Sequence, residues 1–202
     1  MLQTHLSGQQ ADKLFWTILL KAGKCQRLDV VFDVYRENAI TNTERSRRAK
    51  SLKSNEYKNI AENYKVQDWR RFLTSEVNKT ALIRFFISYW SHQDFNINAK
   101  TSKQIYVTQD DKCFCLHSQG STEVFELLAD EEEADTRLLL HVRHAAENGF
   151  ISIVIHSDDT DVAIIALRFI PKISSFNYVL YMKSGTQNRI KFVSLTDLHH
   201  DF

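Results

Sequence analysis

The sequence predicts an α/β fold with a largely parallel sheet. Two short apolar segments rich in β-branched residues, 28–34 and 151–156, read as buried strands. Stretches with helical periodicity at 10–22, 76–91 and 131–148 are interspersed with strand-like segments. Alternation of this kind favours crossover connections and parallel pairing. The 202 residues include one Pro and five Gly, which excludes collagen-like, linker-like and Pro-rich disordered chains.

Residues 10–22 (QADKLFWTILLKA) predict a helix stopped by Gly23. Residues 28–34 (LDVVFDV) predict a strand with Asp33 near its C-terminal end. Residues 43–73 are polar, charged and sparse in apolar groups, and predict an exposed helix; 76–91 predict a more apolar one. Three strand-like pieces follow, at 104–108, 113–117 and 123–127. In 131–148 the residues Ala134, Leu138, His141, Val142 and Ala145 recur at helical spacing, and Asn148-Gly149 closes the helix. The continuous apolar run 151–156 (ISIVIH) predicts a strand covered on both faces. A DDTD turn then leads into a helix, VAIIALRF, ended by Pro171, and 178–183 and 190–194 predict two last strands.

A net charge of +1 hides strong segregation. From Arg36 to Arg71 ten basic residues face five acids, leaving +5; from Asp110 to Asp135 nine acids face one lysine, leaving −8. Each stretch sets its own local field. No apolar run reaches the roughly 18 residues that a membrane span needs. The polar start, MLQTHLSGQQ, shows no signal peptide. Three cysteines, Cys25, Cys113 and Cys115, have no zinc spacing and suit a reducing, intracellular compartment. On a strand, Cys113 and Cys115 face the same side and read as a small apolar pair.

The acids are distributed in a telling way. A parallel sheet places its working site at the C-terminal strand ends. Asp33 ends one predicted strand, and Asp158, Asp159 and Asp161 end another. Glu131, Glu132, Glu133 and Asp135 open the helix before that second strand. Acids at helix N-termini also serve as caps and dipole partners. Several carboxylates gathered at one sheet edge, however, repel one another unless cations neutralise them. Oxygen-only donors suit Mg2+ or Mn2+. Two such ions about 4 Å apart can activate water and stabilise the leaving oxygen in phosphodiester cleavage.

Three strings make this specific. LDVVFDVYRENAITNTERSRR resembles the strand and basic helix of flap-endonuclease-type nucleases, EEEADTR resembles their acidic helix start, and SDDTDV resembles their acidic strand end. The whole is most similar to an animal branch of PIN-like proteins with EEADTR and DTDV motifs, over about residues 28–195. The matching positions are Glu132-Glu133-Ala134-Asp135-Thr136-Arg137, His141, His144-Ala145-Ala146 and Ser157-Asp158-Asp159-Thr160-Asp161-Val162.

The resemblance implies a three-layer α/β/α domain over 28–202, preceded by a helical leader at 1–27 and carrying a basic helical insertion at 35–75. It implies Asp33, Glu133, Asp135, Asp159 and Asp161 as catalytic, metal-binding acids for Mg2+ or Mn2+. Two apart in an extended strand end, Asp159 and Asp161 would face the same side and share a site, with Asp158 facing away as a cap. Arg45, Arg47, Arg48 and Lys50 would bind nucleic acid, DNA or RNA, through sequence-independent phosphate contacts. Tyr57 and Trp69 would stack on bases or pack in a core. A nucleic-acid ligand adds the nucleus to the expected locations. The family pattern also has a strand with another acid before Leu28 and a Gly-Cys-Asp segment after Phe202. Val34 stands for its Gly and Thr41 for its Lys. The expectation is therefore a metal-dependent nuclease-like domain, truncated at both ends of its metal site and inactive or very weak. The alternative is a non-catalytic PIN-like module that binds nucleic acid or protein, and a third reading is a structural fragment.

Overall fold

The computed structural model describes residues 4–6, 8–34, 55–60, 64–129, 134–185 and 189–200. It is a mixed α/β chain in two compact units, Met1–Glu132 and Glu133–Phe202. Arg45, Arg47, Arg48, Lys50 and Glu133, with most of the basic insertion, lie outside the described residues.

The first unit holds a two-stranded and a four-stranded sheet. Strand β1 (Thr4–Leu6) pairs antiparallel with β3 (Tyr64–Val66). In the larger sheet β2 (Arg27–Val30) runs parallel to β4 (Gln104–Gln109). Then β5 (Lys112–His117) and β6 (Gly120–Glu123) continue antiparallel, giving the order β2-β4-β5-β6.

The expectation of a mainly parallel sheet is thus corrected. The reason is connection length. Asp110-Asp111 alone joins β4 to β5, and Ser118-Gln119 joins β5 to β6. Links of two residues can only make hairpins, whereas a parallel pair needs a crossover of about a dozen or more. Asp110 takes the left-handed conformation that the first turn requires, at φ 52°. The second hairpin also moves the third predicted strand from 123–127 to 120–123, and Phe125–Leu127 becomes a 3-10 turn that buries Leu127.

Helix α1 (Gly8–Ala22) and helix α3 (Glu76–Trp90) cover one face of this sheet, while α2 (Trp69–Phe72) and α4 (Ile97–Lys100) are single turns. Phe15 and Leu19 of α1 pack with Ile83, Ile87 and Trp90 of α3 and with Ile105, Val107 and Leu116 of the sheet. The predicted leader helix is therefore part of this core. Trp90 stacks on Phe86 with centroids 5.4 Å apart and donates its indole N–H to the Ala11 carbonyl at 3.1 Å.

The predicted helix at 43–73 is corrected where the residues are described. Segment 55–60 has neither helix nor strand, 64–66 is β3, and only 69–72 is helical. Buried Asn78 explains this. It accepts from the Tyr57 amide at 2.7 Å and donates to the carbonyls of Asn55 and Phe72 at 2.9 and 3.1 Å. Backbone groups tied to a side chain are lost to a helical ladder. Tyr57, Tyr64, Trp69 and Phe72 then form a small aromatic cluster.

The second unit has the sheet order β7-β8-β9, from Ser152–His156, Val179–Ser184 and Lys191–Ser194. Strands β7 and β8 are parallel through helix α6 (Thr160–Phe169), and β8 and β9 are antiparallel. Helices α5 (Ala134–Glu147) and α7 (Leu195–His200) join α6 in one core, where Leu139, Val142, Val162, Ala166 and Leu195 meet Ile155, Leu180 and Met182. Gly149, at φ 80°, ends α5: its amide reaches Ala146 O and that of Phe150 reaches Ala145 O.

The expectation that ISIVIH is covered on both faces fails. Strand β7 buries Ile155, half-buries Ile153 and exposes Ser152, Val154 and His156. The cause is that α5, α6 and α7 all contribute to the core on the Ile155, Leu180 and Met182 face. Moreover, β2 and β7 belong to different sheets, so no single strand edge gathers both acid groups.

Candidate functional site

In the second unit the chain direction collects the acids at one end. Helix α5 leads into β7 through the turn at 148–151, so it runs opposite to that strand. Helix α6 leaves β7 after Ser157–Asp159 and runs back. Both helices therefore begin at the C-terminal end of β7. Asp135 lies in the first turn of α5, and Asp159 and Asp161 open α6.

Local geometry there differs from the expected extended strand end. Asp159 is the N-cap of α6, and its Oδ1 accepts the Asp161 amide at 2.9 Å. The Asp159 amide in turn donates to Ser157 Oγ at 3.1 Å. Because the helix starts at Thr160, Asp159 and Asp161 are not same-face neighbours on a strand. Asp158, the expected cap, instead links two segments, since its Oδ1 accepts the Gly185 amide at 2.6 Å, beyond the end of β8. Gly185 sits at φ 84°, a conformation that disfavours side chains. Asp159 and Asp161 are exposed, and Asp135 is half-buried.

In the first unit, Asp33 lies three residues past the end of β2, outside any helix or strand, and is half-buried. The neighbouring Phe32 amide donates to buried Thr108 Oγ1 at 2.8 Å, which ties this segment to β4. Among the described residues, no group of three or more His, Cys, Asp or Glu is placed to hold a metal ion. The donors at the α5 and α6 starts are carboxylates, the ligand type that suits a hard divalent cation.

Two buried arginines carry weight that the sequence reading did not assign them. Arg137, inside the EEADTR string, is fully buried on α5 with His141 one turn later. Arg27 on β2 grips Asp29 with two bonds of 2.8 Å, from Nε and Nη2, and lies 4.2 Å over the Tyr106 ring. The Arg-x-Asp spacing on a strand was the available signal, since it puts both on one face. Tyr106 opposes Cys115 in the register. Burial pushes the Tyr106 hydroxyl and the Cys115 thiol up from their ordinary pKa values, and the Arg27 charge pulls both partly back. The upward shift of Cys115 is in keeping with its reading as a packing residue. Cys113 beside it is completely buried, opposite Thr108.

Tyr57, which the sequence offers as a stacking partner for bases or as core, packs on Tyr64 with centroids 4.8 Å apart. Their shared hydrogen bond lowers the Tyr57 pKa, while burial and that bond push Tyr64 up to about 12. With Trp69 they belong to the aromatic cluster around Phe72.

Compared with models of protein families, with curated proteins and with solved structures, the chain finds no significant match. Among the described residues, no helix is long and apolar enough to cross a membrane.

Proposed function

We propose that this chain is a metal-dependent nuclease-like domain of the PIN-like, flap-endonuclease type, acting on nucleic-acid phosphodiesters. The observation that supports it most is the common placement of the α5 and α6 starts at the C-terminal end of β7, with Asp135, Asp159 and Asp161 on them. Glu133 comes just before α5 in the chain. These four residues of the second unit would hold Mg2+ or Mn2+. A divalent ion bound there supplies Lewis acidity and a more acidic water. The chain's own contribution is fixed placement: Asp159 is held by its cap bond, and the helix N-termini favour negative charge nearby. Arg45, Arg47, Arg48 and Lys50 would guide the nucleic acid.

One observation favours a second reading, a non-catalytic module that binds nucleic acid or protein. The carboxylates of Asp158 and Asp159 both already accept backbone amides, which a purely structural turn explains. One experiment separates the two. The full chain is incubated with labelled single-stranded and flapped DNA, and with RNA, in millimolar Mg2+ or Mn2+, and its melting temperature is followed in parallel. The nuclease reading expects metal to raise the melting temperature, because ions bind the native acids and not the unfolded chain. It also expects cleavage that disappears when Asp159 and Asp161 are both changed to Ala. Metal indifference and no cleavage, with nucleic acid still bound, would leave the binding module.

A further inference from the structure

The entry to α6 is tied to the end of β8 by more than strand pairing. The parallel register of β7 and β8 ends at His156 and Lys183. The Ser157 amide adds one further backbone bond, to the Lys183 carbonyl at 3.1 Å. Asp158 then continues the connection with its side chain, whose Oδ1 accepts the Gly185 amide at 2.6 Å. Asp159 and Asp161 follow at once, their own amides bonded to Ser157 Oγ and Asp159 Oδ1. The partner of Asp158 is a position suited to glycine. Gly185 has φ 84°, and a Cβ there would run into the Arg189 carbonyl. Asp158 itself is exposed, so burial does not demand its hydrogen bond. What the bond does is place one segment against another.

We infer that Asp158 is a positioning residue of the acid site. It is not a ligand. Through Gly185 it fixes the chain entering α6 to the end of β8, and so sets where the carboxylates of Asp159 and Asp161 stand. The inference rests on the nuclease-like reading of those acids and deepens it. Groups that hold ligating side chains in place govern metal affinity although they never touch the ion. Mg2+ in particular tolerates little departure from octahedral geometry. Asp159 and Asp161 are exposed, so their placement depends on the backbone that carries them. That backbone is anchored on one side by the Ser157 and Asp158 bonds to β8 and its end, and on the other by the cap of α6. A charged acceptor makes the stronger kind of amide hydrogen bond, which suits Asp158 to the task.

The test is a titration of the full chain with Mn2+, the free ion read by electron paramagnetic resonance, with the melting temperature followed separately in a chelator. Asp158→Asn and Asp158→Ala both lose the charge, and only Asn keeps an oxygen that can accept the Gly185 amide. A difference between them therefore isolates the tie. Asp158→Ala should bind Mn2+ roughly tenfold or more weakly than Asp158→Asn, the usual loss for a group standing behind metal ligands. Gly185→Ala, which leaves every carboxylate in place, should weaken binding similarly. A purely structural turn would lower the melting temperature of Asp158→Ala in the chelator and leave the Mn2+ affinity of the folded chain unchanged. Equal affinities in Asp158→Asn and Asp158→Ala overturn the proposal. Both at the wild-type level would make Asp158 a structural residue, and both reduced would make its charge part of the ligand set. Should Asp158→Ala fail to fold, by circular dichroism, Gly185→Ala decides alone, and wild-type affinity in it overturns the proposal. If the wild type binds no Mn2+, the acid site itself falls and Asp158 has nothing to position. Wild-type binding with equal Asn and Ala affinities sinks this inference and keeps the acid site.

Discussion

In the first unit the four-stranded sheet has buried residues on both faces, whereas the three-stranded sheet of the second unit has its packed core on one. The first sheet sets Ile105, Val107 and Leu116 under α1 and α3, and on the opposite face buries Arg27, Thr108 and Cys113. The second packs Ile155, Leu180 and Met182 with helices and leaves Val154 and Phe192 in water. The two faces of a strand alternate, so each sheet poses the same question twice. The first unit answers its second face with a paired charge, and the second leaves it open. A closed polar face is a stability problem, because buried ions must stay paired. An exposed apolar face makes no such demand on pairing.

The strongest way to break this comparison is to cut into the two cores. Trp90→Ala removes a side chain that is 1% exposed, two aromatic contacts and a buried hydrogen bond. It should cost about 3–5 kcal/mol in chemical denaturation, as large aromatic truncations do. Leu180→Ala, at a fully buried position of the second core, should cost about 2–5 kcal/mol. Phe192→Ala, on the open face, should stay within about 0.5 kcal/mol, the usual range for exposed sites. A Phe192→Ala cost comparable to that of Leu180→Ala would mean that the face is not open in solution.

A smaller effect sharpens the closed face. Arg27 has a side chain only 4% exposed and Asp29 one that is 19% exposed. Arg27→Ala removes both bonds to the Asp29 carboxylate, and should cost about 3 kcal/mol, the lower end for breaking a buried pair because Asp29 keeps some water. The double change Arg27→Met with Asp29→Leu should recover most of that loss, since apolar residues of similar size can replace a buried pair at little cost. A mild Arg27→Ala phenotype in thermal and denaturant unfolding would show that water reaches this face.

How much of this could be read in the residues differs between the units for a physical reason. Helices with a full apolar stripe, such as α1 and α5, are legible because their own sequence carries the period and the stop signal. The ISIVIH run was legible as a strand and as a parallel one. Its second face was not, because a continuous apolar run looks the same whether a partner covers it or not. The hairpins hid for another reason: Asp110-Asp111 and Ser118-Gln119 are short polar links, and a polar link does not announce its handedness. At the candidate site, acids at the starts of α5 and α6 followed from chain direction alone. Bringing Asp33 to the same edge required one continuous sheet, and β2 and β7 lie in different ones. Segment 55–60 escaped because a single buried side chain, Asn78, decides it from about twenty residues away.

The smallest predicted effect bears most directly on chemistry, because Asp159 is both a cap and a proposed metal ligand. As a cap it needs only an oxygen that accepts the Asp161 amide. Asn caps helices about as well as Asp, whereas Ala costs about 1 kcal/mol. Asp159→Asn should therefore change stability by about half a kcal/mol at most, that remainder being the charge–dipole contribution at the α6 start. As a ligand it needs the negative charge, which Asn lacks. A site built from carboxylates should lose most of its affinity for Mg2+ or Mn2+ when one is neutralised. The variant separates the roles because its two readouts move apart. Unfolding in a chelator should barely differ from that of the wild type, while the metal-induced rise in melting temperature should largely vanish. Were the metal response of Asp159→Asn to match the wild type, Asp159 would be a cap and nothing more. The acid assignment would then have to rest on Glu133, Asp135 and Asp161 without it.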